Sequence, residues 1–301
     1  MNVGPRIWRI SREKCWVLDR ARVLAIVNVT PDSFSDGGSI GSAEDAASAA
    51  ARAVEEGADG LDVGGESTRP GAVRVSVEEQ IARVVPAIEA IRRRIGDGVA
   101  ITIDTTLSAV ARAGLGAGAD AINDVSGGDE DAEMCVLAAE RGCGIVLMHR
   151  LAPPGKDVFS HEYAEVPGYE EGGGVVAVVE EFLRERAARA EGAGVSRESI
   201  VIDPGLGFGK SVEQNLELIA ATPRLCAMGY AVMSGVSRKS FVAKAAGMDM
   251  GLAPRDRLDA SVRMSVRHVG LGAAIVRVHD VAAHVAALAG SSPPKTAYGI
   301  Q

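Results

Sequence analysis

No stretch of eighteen apolar residues runs free of charge in this sequence of 301 residues, so nothing in it reads as a membrane span. The N-terminus, MNVGPRIWRISREKC, lacks the apolar core of a secretory signal. A basic excess is missing as well. The formal net charge is −8, which excludes the positive face that nucleic acid demands. Cysteine is scarce and unpatterned: Cys15, Cys135, Cys143 and Cys226 show no C-x-x-C spacing. That argues against zinc and against a disulfide framework, and for buried thiols in a reducing compartment. The expectation is a cytoplasmic protein with small-molecule substrates and no nucleic-acid or membrane partner.

What is present is a core-forming composition, 47% hydrophobic against 24% charged. Positive charge clusters only at Arg92-Arg93-Arg94, read as the solvated face of a helix. Short apolar runs alternate with longer Ala-rich amphipathic segments, the signature of βα units on a parallel sheet. Strands are predicted at 23–29, 60–64, 100–104, 121–125, 144–149, 200–203, 231–235 and 273–278. Helices are predicted near 43–57, 76–95, 107–118, 131–142, 174–193, 212–221, 256–270 and 280–289. Several helices close on glycine just before the next strand, as in Arg141-Gly-Cys-Gly144, where a C-cap takes positive φ. Eight units of this size and order predict an α/β fold, a single-domain (β/α)8 TIM barrel over residues 23–290. Residues 1–22 read as an extension, with Trp8 and Trp16 in a short hairpin plugging the barrel bottom. Residues 291–301 read as a frayed tail, and the long connection 150–173 as a functional lid or a disordered loop.

A doubly wound open sheet is the competing architecture, but its nucleotide signals fail. Gly114-Leu-Gly-Ala-Gly-Ala119 ends a helix instead of following a strand, and Gly205-Leu-Gly-Phe-Gly-Lys-Ser211 has Pro204 where a phosphate loop needs its first glycine.

Polar residues gather at the strand ends: Asn28, Glu66, Asp104, Asn123 with Asp124, His149, Asp203, Arg238 with Lys239, and Arg277 with His279. In a barrel these ends converge on one mouth, and burying so many polar groups implies a ligand among them. Asp104, Asn123 and Asp203 suit a flat heterocycle with amino and ring N–H donors. Arg277 and His279 favour an anion, most simply phosphate, and Asn28 suits either a ligand or Mg²⁺. Two plainer readings stand beside these: Asp104 as a helix cap and His279 as a histidine packed at a helix start.

The motifs at these positions resemble the dihydropteroate synthase family. They are Asn28-Val-Thr-Pro-Asp-Ser-Phe-Ser-Asp-Gly-Gly38, Asp62-Val-Gly-Gly-Glu-Ser-Thr-Arg-Pro-Gly71, Ile103-Asp104-Thr105, Asn123-Asp124, Met148-His149, Asp203-Pro-Gly-Leu-Gly-Phe-Gly-Lys210, Ser237-Arg-Lys-Ser240 and Arg277-Val-His-Asp280. The resemblance implies condensation of 6-hydroxymethyl-7,8-dihydropterin pyrophosphate with p-aminobenzoate, giving 7,8-dihydropteroate and pyrophosphate. It implies pterin contacts from Asp104, Asn123, Met148, Asp203, Phe208, Lys239 and Arg277. Pyrophosphate falls to Asn28, Arg69, Arg277 and His279, with Mg²⁺ on Asn28. The p-aminobenzoate pocket falls to Phe34, Thr68, Pro70 and Ser240. Asn28, Asp104, Lys239, Arg277 and His279 form the implied catalytic set. Loops 29–41 and 65–75 are expected to close over the mouth, sulfonamides to compete with p-aminobenzoate, and two chains to form a homodimer.

The sequence departs from the family pattern twice. After His149 the family continues Met-Gln-Gly where this chain has Arg150-Leu-Ala, and Asp259-Ala-Ser261 replaces a Gly-Ser or Gly-Thr pair, a change expected to alter packing or an oligomer surface. The rival readings are a pterin-dependent methyltransferase domain, a Schiff-base aldolase on Lys239, and a pterin-binding paralogue without turnover.

Overall fold

The computed structural model describes residues 7–30 and 42–290. Within them, strands β3 (Arg22–Asn28), β4 (Gly60–Gly64), β5 (Ala100–Asp104), β6 (Ala121–Asp124), β7 (Gly144–Met148), β8 (Ile200–Asp203), β9 (Ala231–Ser234) and β10 (Ile275–Val278) close into a parallel barrel. The order around the ring follows the chain, and β10 closes on β3. The (β/α)8 expectation holds. Phe34, the loop over 31–41 and the tail 291–301 lie outside the described residues.

The helices are α1 (Ala43–Glu55), α2 (Val77–Ile95), α3 (Ser108–Gly116), α4 (Glu133–Arg141), α5 (Val175–Gly192), α6 (Val212–Ala220), α7 (Thr222–Ala227), α8 (Ser240–Ala245), α9 (Leu258–Gly270) and α10 (Val281–Leu288). The predicted ends run a residue or two long because capping residues were counted in. Ser42, Ser76 and Ser211 cap α1, α2 and α6 by accepting the third backbone N–H. Gly142 ends α4 in the left-handed region, φ 61°. The sequence reading missed α7 and α8, each six residues long and too short to show a helical period.

The strands alternate between two environments. Leu24, Ala100, Ala121, Val146, Val201, Ala231, Met233 and Ile275 form one apolar cluster with the hairpin residues Trp8, Ile10 and Leu18. The intervening residues join the larger core shared with the helices. As expected, strands β1 (Ile7–Arg9) and β2 (Cys15–Val17) form the antiparallel hairpin on that inner cluster. Trp8 is fully buried, sits edge-on to Trp16 at 5.3 Å, and donates its indole N–H to Ser199 O.

Two surface expectations need correction. Arg93 and Arg94 are exposed as expected, but Arg92 is not solvated: its guanidinium donates to Gly118 O, Val99 O and Asp120, satisfying loop carbonyls under the barrel. Of the cysteines, Cys135, Cys143 and Cys226 are buried, but Cys15 is exposed.

Candidate active site

Strand register sets the first row of the mouth. Asn28, Gly64, Asp104 and Asn123 are successive lateral neighbours across β3 to β6. Gly64 leaves room for the carboxylate beside it, since a Cβ there would lie 3.3 Å from Asp104 Cβ. One pleat deeper lies Asp62, fully buried in the middle of β4. Its carboxylate accepts from Thr102 Oγ1, from Asn123 Nδ2 at 3.0 Å and from Arg277 Nε at 2.5 Å. Arg277, reaching across from β10, places Nη2 2.6 Å from Asp104 Oδ2. Asp62 was quoted in a motif but given no role. A carboxylate inside a wholly buried five-residue strand signals a required counter-charge, and that signal could have found it.

Electrostatics follow from burial. Desolvation pushes the Asp104 pKa up to about 7, with Arg277 opposing and Asp62 adding to the rise. Burial works against the charge on Arg277 too, but Asp62 and Asp104 outweigh it and raise its pKa. These contacts rule out Asp104 as a helix cap; Asp131 accepts from Ser108 N at the start of α3 instead.

The opposite wall comes from β8 and the segments after it. Asp203 is buried and accepts from Gly205 N at 2.7 Å; desolvation raises its pKa against the pull of Lys239. Lys239 Nζ lies 4.2 Å from the Phe208 ring centre and donates to Leu206 O. Desolvation lowers the Lys239 pKa to about 7. Phe208, Met148 and Val125 form a small apolar cluster of their own. Three carboxylates, an amide and two cations thus gather beside an apolar cluster at one end of the barrel.

His279 stands at the rim, solvent-exposed, with Nδ1 3.1 Å from Ser237 Oγ. It is not packed at a helix start. Desolvation, then Arg238, Arg277, Arg69 and Lys239, hold its pKa well below the ordinary value. The four cations leave the rim electropositive, a field that suits an anion. Arg69 is exposed, Thr68 and Pro70 are half-buried on loop 65–75, Asn28 is half-buried, and Ser240 is buried at the start of α8.

Four residues at strand ends do not face the mouth. Asp124 turns outward and accepts from Ser126 N, Ser126 Oγ and Gly128 N. His149 is buried edge-on to Phe182 of α5 with Nδ1 3.0 Å from Lys210 Nζ, and burial holds its pKa down to about 2. Glu66 accepts from Val75 N within its own loop. Arg238, at φ 60°, forms a two-pronged pair with Asp280 at 3.0 and 2.6 Å. Its backbone N–H donates to Ser261 Oγ, and Ser261 is fully buried with Ala260 beside it, so two residues of the 259–261 departure serve packing inside the chain, while Asp259 is exposed. The Gly205–Ser211 segment is no phosphate cradle: Lys210 is fully buried and donates to Gly205 O and Phe208 O. Gly205 takes φ 66°, where a Cβ would strike His149 O.

A family model described as pterin binding enzyme matches residues 24–279. A dihydropteroate synthase of Streptococcus pyogenes serotype M6 is 44% identical over 88% of this chain and 92% of its own length. A probable bifunctional folylpolyglutamate synthase/dihydropteroate synthase of Haloferax volcanii is 43% identical over 90% of this chain, which spans only 30% of that protein. A solved structure of Xanthomonas albilineans dihydropteroate synthase with 4-aminobenzoic acid superposes with a TM-score of 0.83 at 40% identity, covering 95% of this chain and 97% of that one.

Proposed function

The chain belongs to the pterin binding enzyme family, and from that premise we propose the residue roles by which it works as a dihydropteroate synthase. The observation that carries the reading is the convergence of Asp62, Asp104, Asn123, Asp203, Lys239 and Arg277 at one partly apolar end of the barrel. The carboxylates and the amide accept from the amino and ring N–H groups of the dihydropterin. Arg277, held from below by Asp62 and Asp104, presents its guanidinium face to the ring, with Phe208 and Met148 as the apolar floor.

The electron-rich dihydropterin can stabilise positive charge on its exocyclic methylene. The C–O bond to pyrophosphate breaks, and the leaving group takes the bonding pair. The p-aminobenzoate nitrogen then forms the new C–N bond and gives its proton to solvent. An aniline nitrogen is nucleophilic without a strong base, so the chain need only stabilise the departing anion and exclude water. Arg69, Arg277 and His279 supply positive charge and a donor at the rim. Loop 65–75, through Thr68 and Pro70, with Ser240 and Phe34, shapes the place where p-aminobenzoate waits.

Mg²⁺ fits as a partner of the pyrophosphate more than of the protein. Among the described residues no cluster of three His, Cys, Asp or Glu could hold a metal ion. Asn28 and the substrate's own oxygens would hold it, and it would neutralise charge on the leaving group. A homodimer in the cytoplasm, and competition by sulfonamides, whose aniline matches that of p-aminobenzoate, complete the proposal; no helix among the described residues is long and apolar enough to cross a membrane.

The test is pyrophosphate release by the purified protein with the pterin pyrophosphate and Mg²⁺, with and without p-aminobenzoate. Release that requires p-aminobenzoate and yields dihydropteroate is expected. Tight pterin binding without release would overturn the reading in favour of a non-catalytic paralogue or a methyltransferase domain.

A further inference from the structure

Loop 65–75 is held by polar bonds to neighbouring connections. It stands over a cleft of about 560 Å³ lined by residues that include Glu66, Arg74, Leu107, Glu130 and Lys156, and its Val73 is 85% exposed. Gly71 N donates to Pro154 O at 2.9 Å. Arg74 pairs with Glu130 Oε2 at 2.7 Å and donates to Thr106 Oγ1 at 3.0 Å. Glu130 Oε1 is gripped by Arg150, whose side chain is only 7% exposed. One carboxylate therefore joins an arginine of the loop to the arginine that stands where the family pattern has methionine.

The segment that starts at Arg150 is tied down at its other end too. Asp157 accepts from Gly209 N, Tyr169 OH donates to Gly209 O, and Gln214 Nε2 donates to Pro167 O. It grips the connection that carries Phe208, against which Lys239 rests. The 150–173 segment is thus an ordered strut between the two walls of the mouth.

We propose that Arg150, Glu130 and Arg74 are positioning residues for the second substrate, holding Thr68-Arg69-Pro70 in register with the pterin wall. This rests on the dihydropteroate synthase reading. None of the three need touch substrate; they act through the loop they hold.

The experiment compares the unaltered protein with Glu130→Gln, Arg150→Met and Arg74→Met. Each is measured for the KM of p-aminobenzoate in pyrophosphate release and for the affinity of the pterin pyrophosphate by calorimetry. Loss of the net contribution of one hydrogen bond in this partly exposed link predicts a rise in KM of roughly five- to tenfold, with pterin affinity held within about twofold. Arg74→Met combined with Glu130→Gln should raise KM by less than the two single changes would give together, because both cut the Arg74–Glu130 pair, although Arg74→Met also loses Thr106 Oγ1. Arg74 is 44% exposed, so its variant reads the effect even where Glu130→Gln fails to fold. An unchanged KM, a loss of pterin affinity in proportion, or additive effects would each overturn the proposal. No p-aminobenzoate-dependent release from the unaltered protein would overturn the underlying reading, and the relay's role with it.

Discussion

Arg277 and Asp62, 215 positions apart in the sequence, meet at 2.5 Å in the barrel interior, and the same guanidinium reaches Asp104 at 2.6 Å. Asp62 is thereby the footing on which the Arg277 guanidinium, proposed above to face the pterin, stands. Asp62→Asn keeps the shape and removes the charge. It should weaken binding of the pterin by about 1–3 kcal/mol, roughly fivefold to 150-fold. Calorimetry with the pterin pyrophosphate decides; an affinity within twofold of the unaltered protein would remove Asp62 from the site.

Pterin binding should depend on pH. Burial raises the Asp104 pKa to about 7, so below that pH the carboxyl holds a proton that must leave before it can accept twice from the pterin. Affinity should therefore fall on the acid side of pH 7, by up to about tenfold per unit. Lys239, lowered to about 7 by desolvation, loses its charge on the alkaline side, which places the optimum near neutrality. Asp104→Asn should bind weakly but lose the acid limb. An acid limb that survives in this variant would assign the titration elsewhere.

Lys210 gives a stability test away from the ligand. Desolvation, aided by Lys239, lowers its folded pKa to about 7, against 10.5 for the ordinary side chain. Between these values the unfolded chain binds more protons than the folded one, so this group makes the fold more stable as pH rises from 7 toward 10. The slope is at most about 1.4 kcal/mol per unit. Lys210→Met removes that slope and strands the carbonyls of Gly205 and Phe208, so it should melt lower at every pH and lack the alkaline gain. Thermal melts of both proteins between pH 6.5 and 9.5 check the sign.

A substitution at Asn28 offers a way to tell contacts to the leaving group from contacts to the ring. If the asparagine serves the pyrophosphate and its Mg²⁺, Asn28→Ala should lower affinity for the pterin pyrophosphate about tenfold while leaving a pterin without phosphates nearly unaffected. Parallel calorimetry with both ligands, with and without Mg²⁺, makes the comparison. Equal losses for the two ligands would place Asn28 against the ring.

The barrel was legible because period and punctuation agree along the chain: apolar runs of strand length, Ala-rich helices and glycine closures each select the same unit. The site was legible as a set of strand ends, but not which of them point inward. Strand parity sorts them. Asn123 shares its face with Ala121 of the inner cluster, while Asp124 falls outside and caps its own turn. Likewise Met148 follows Val146 inward, and His149 turns out toward α5. Asp62 was hidden for the opposite reason, since it sits mid-strand instead of at an end. The link from Arg74 through Glu130 to Arg150 joins three separate connections, and no local pattern announces such a meeting.

The hairpin beneath the barrel has a spectroscopic consequence. Both tryptophans of the chain, Trp8 and Trp16, lie there, at the end of the barrel remote from the mouth. Intrinsic tryptophan emission should therefore follow the sealing of the floor and respond little to a ligand arriving above. The indole of Trp8 meets its partner Ser199 only when segments 191 positions apart have come together. In refolding, the recovery of that emission would time the closing of the ring, and a ligand titration would need a different reporter.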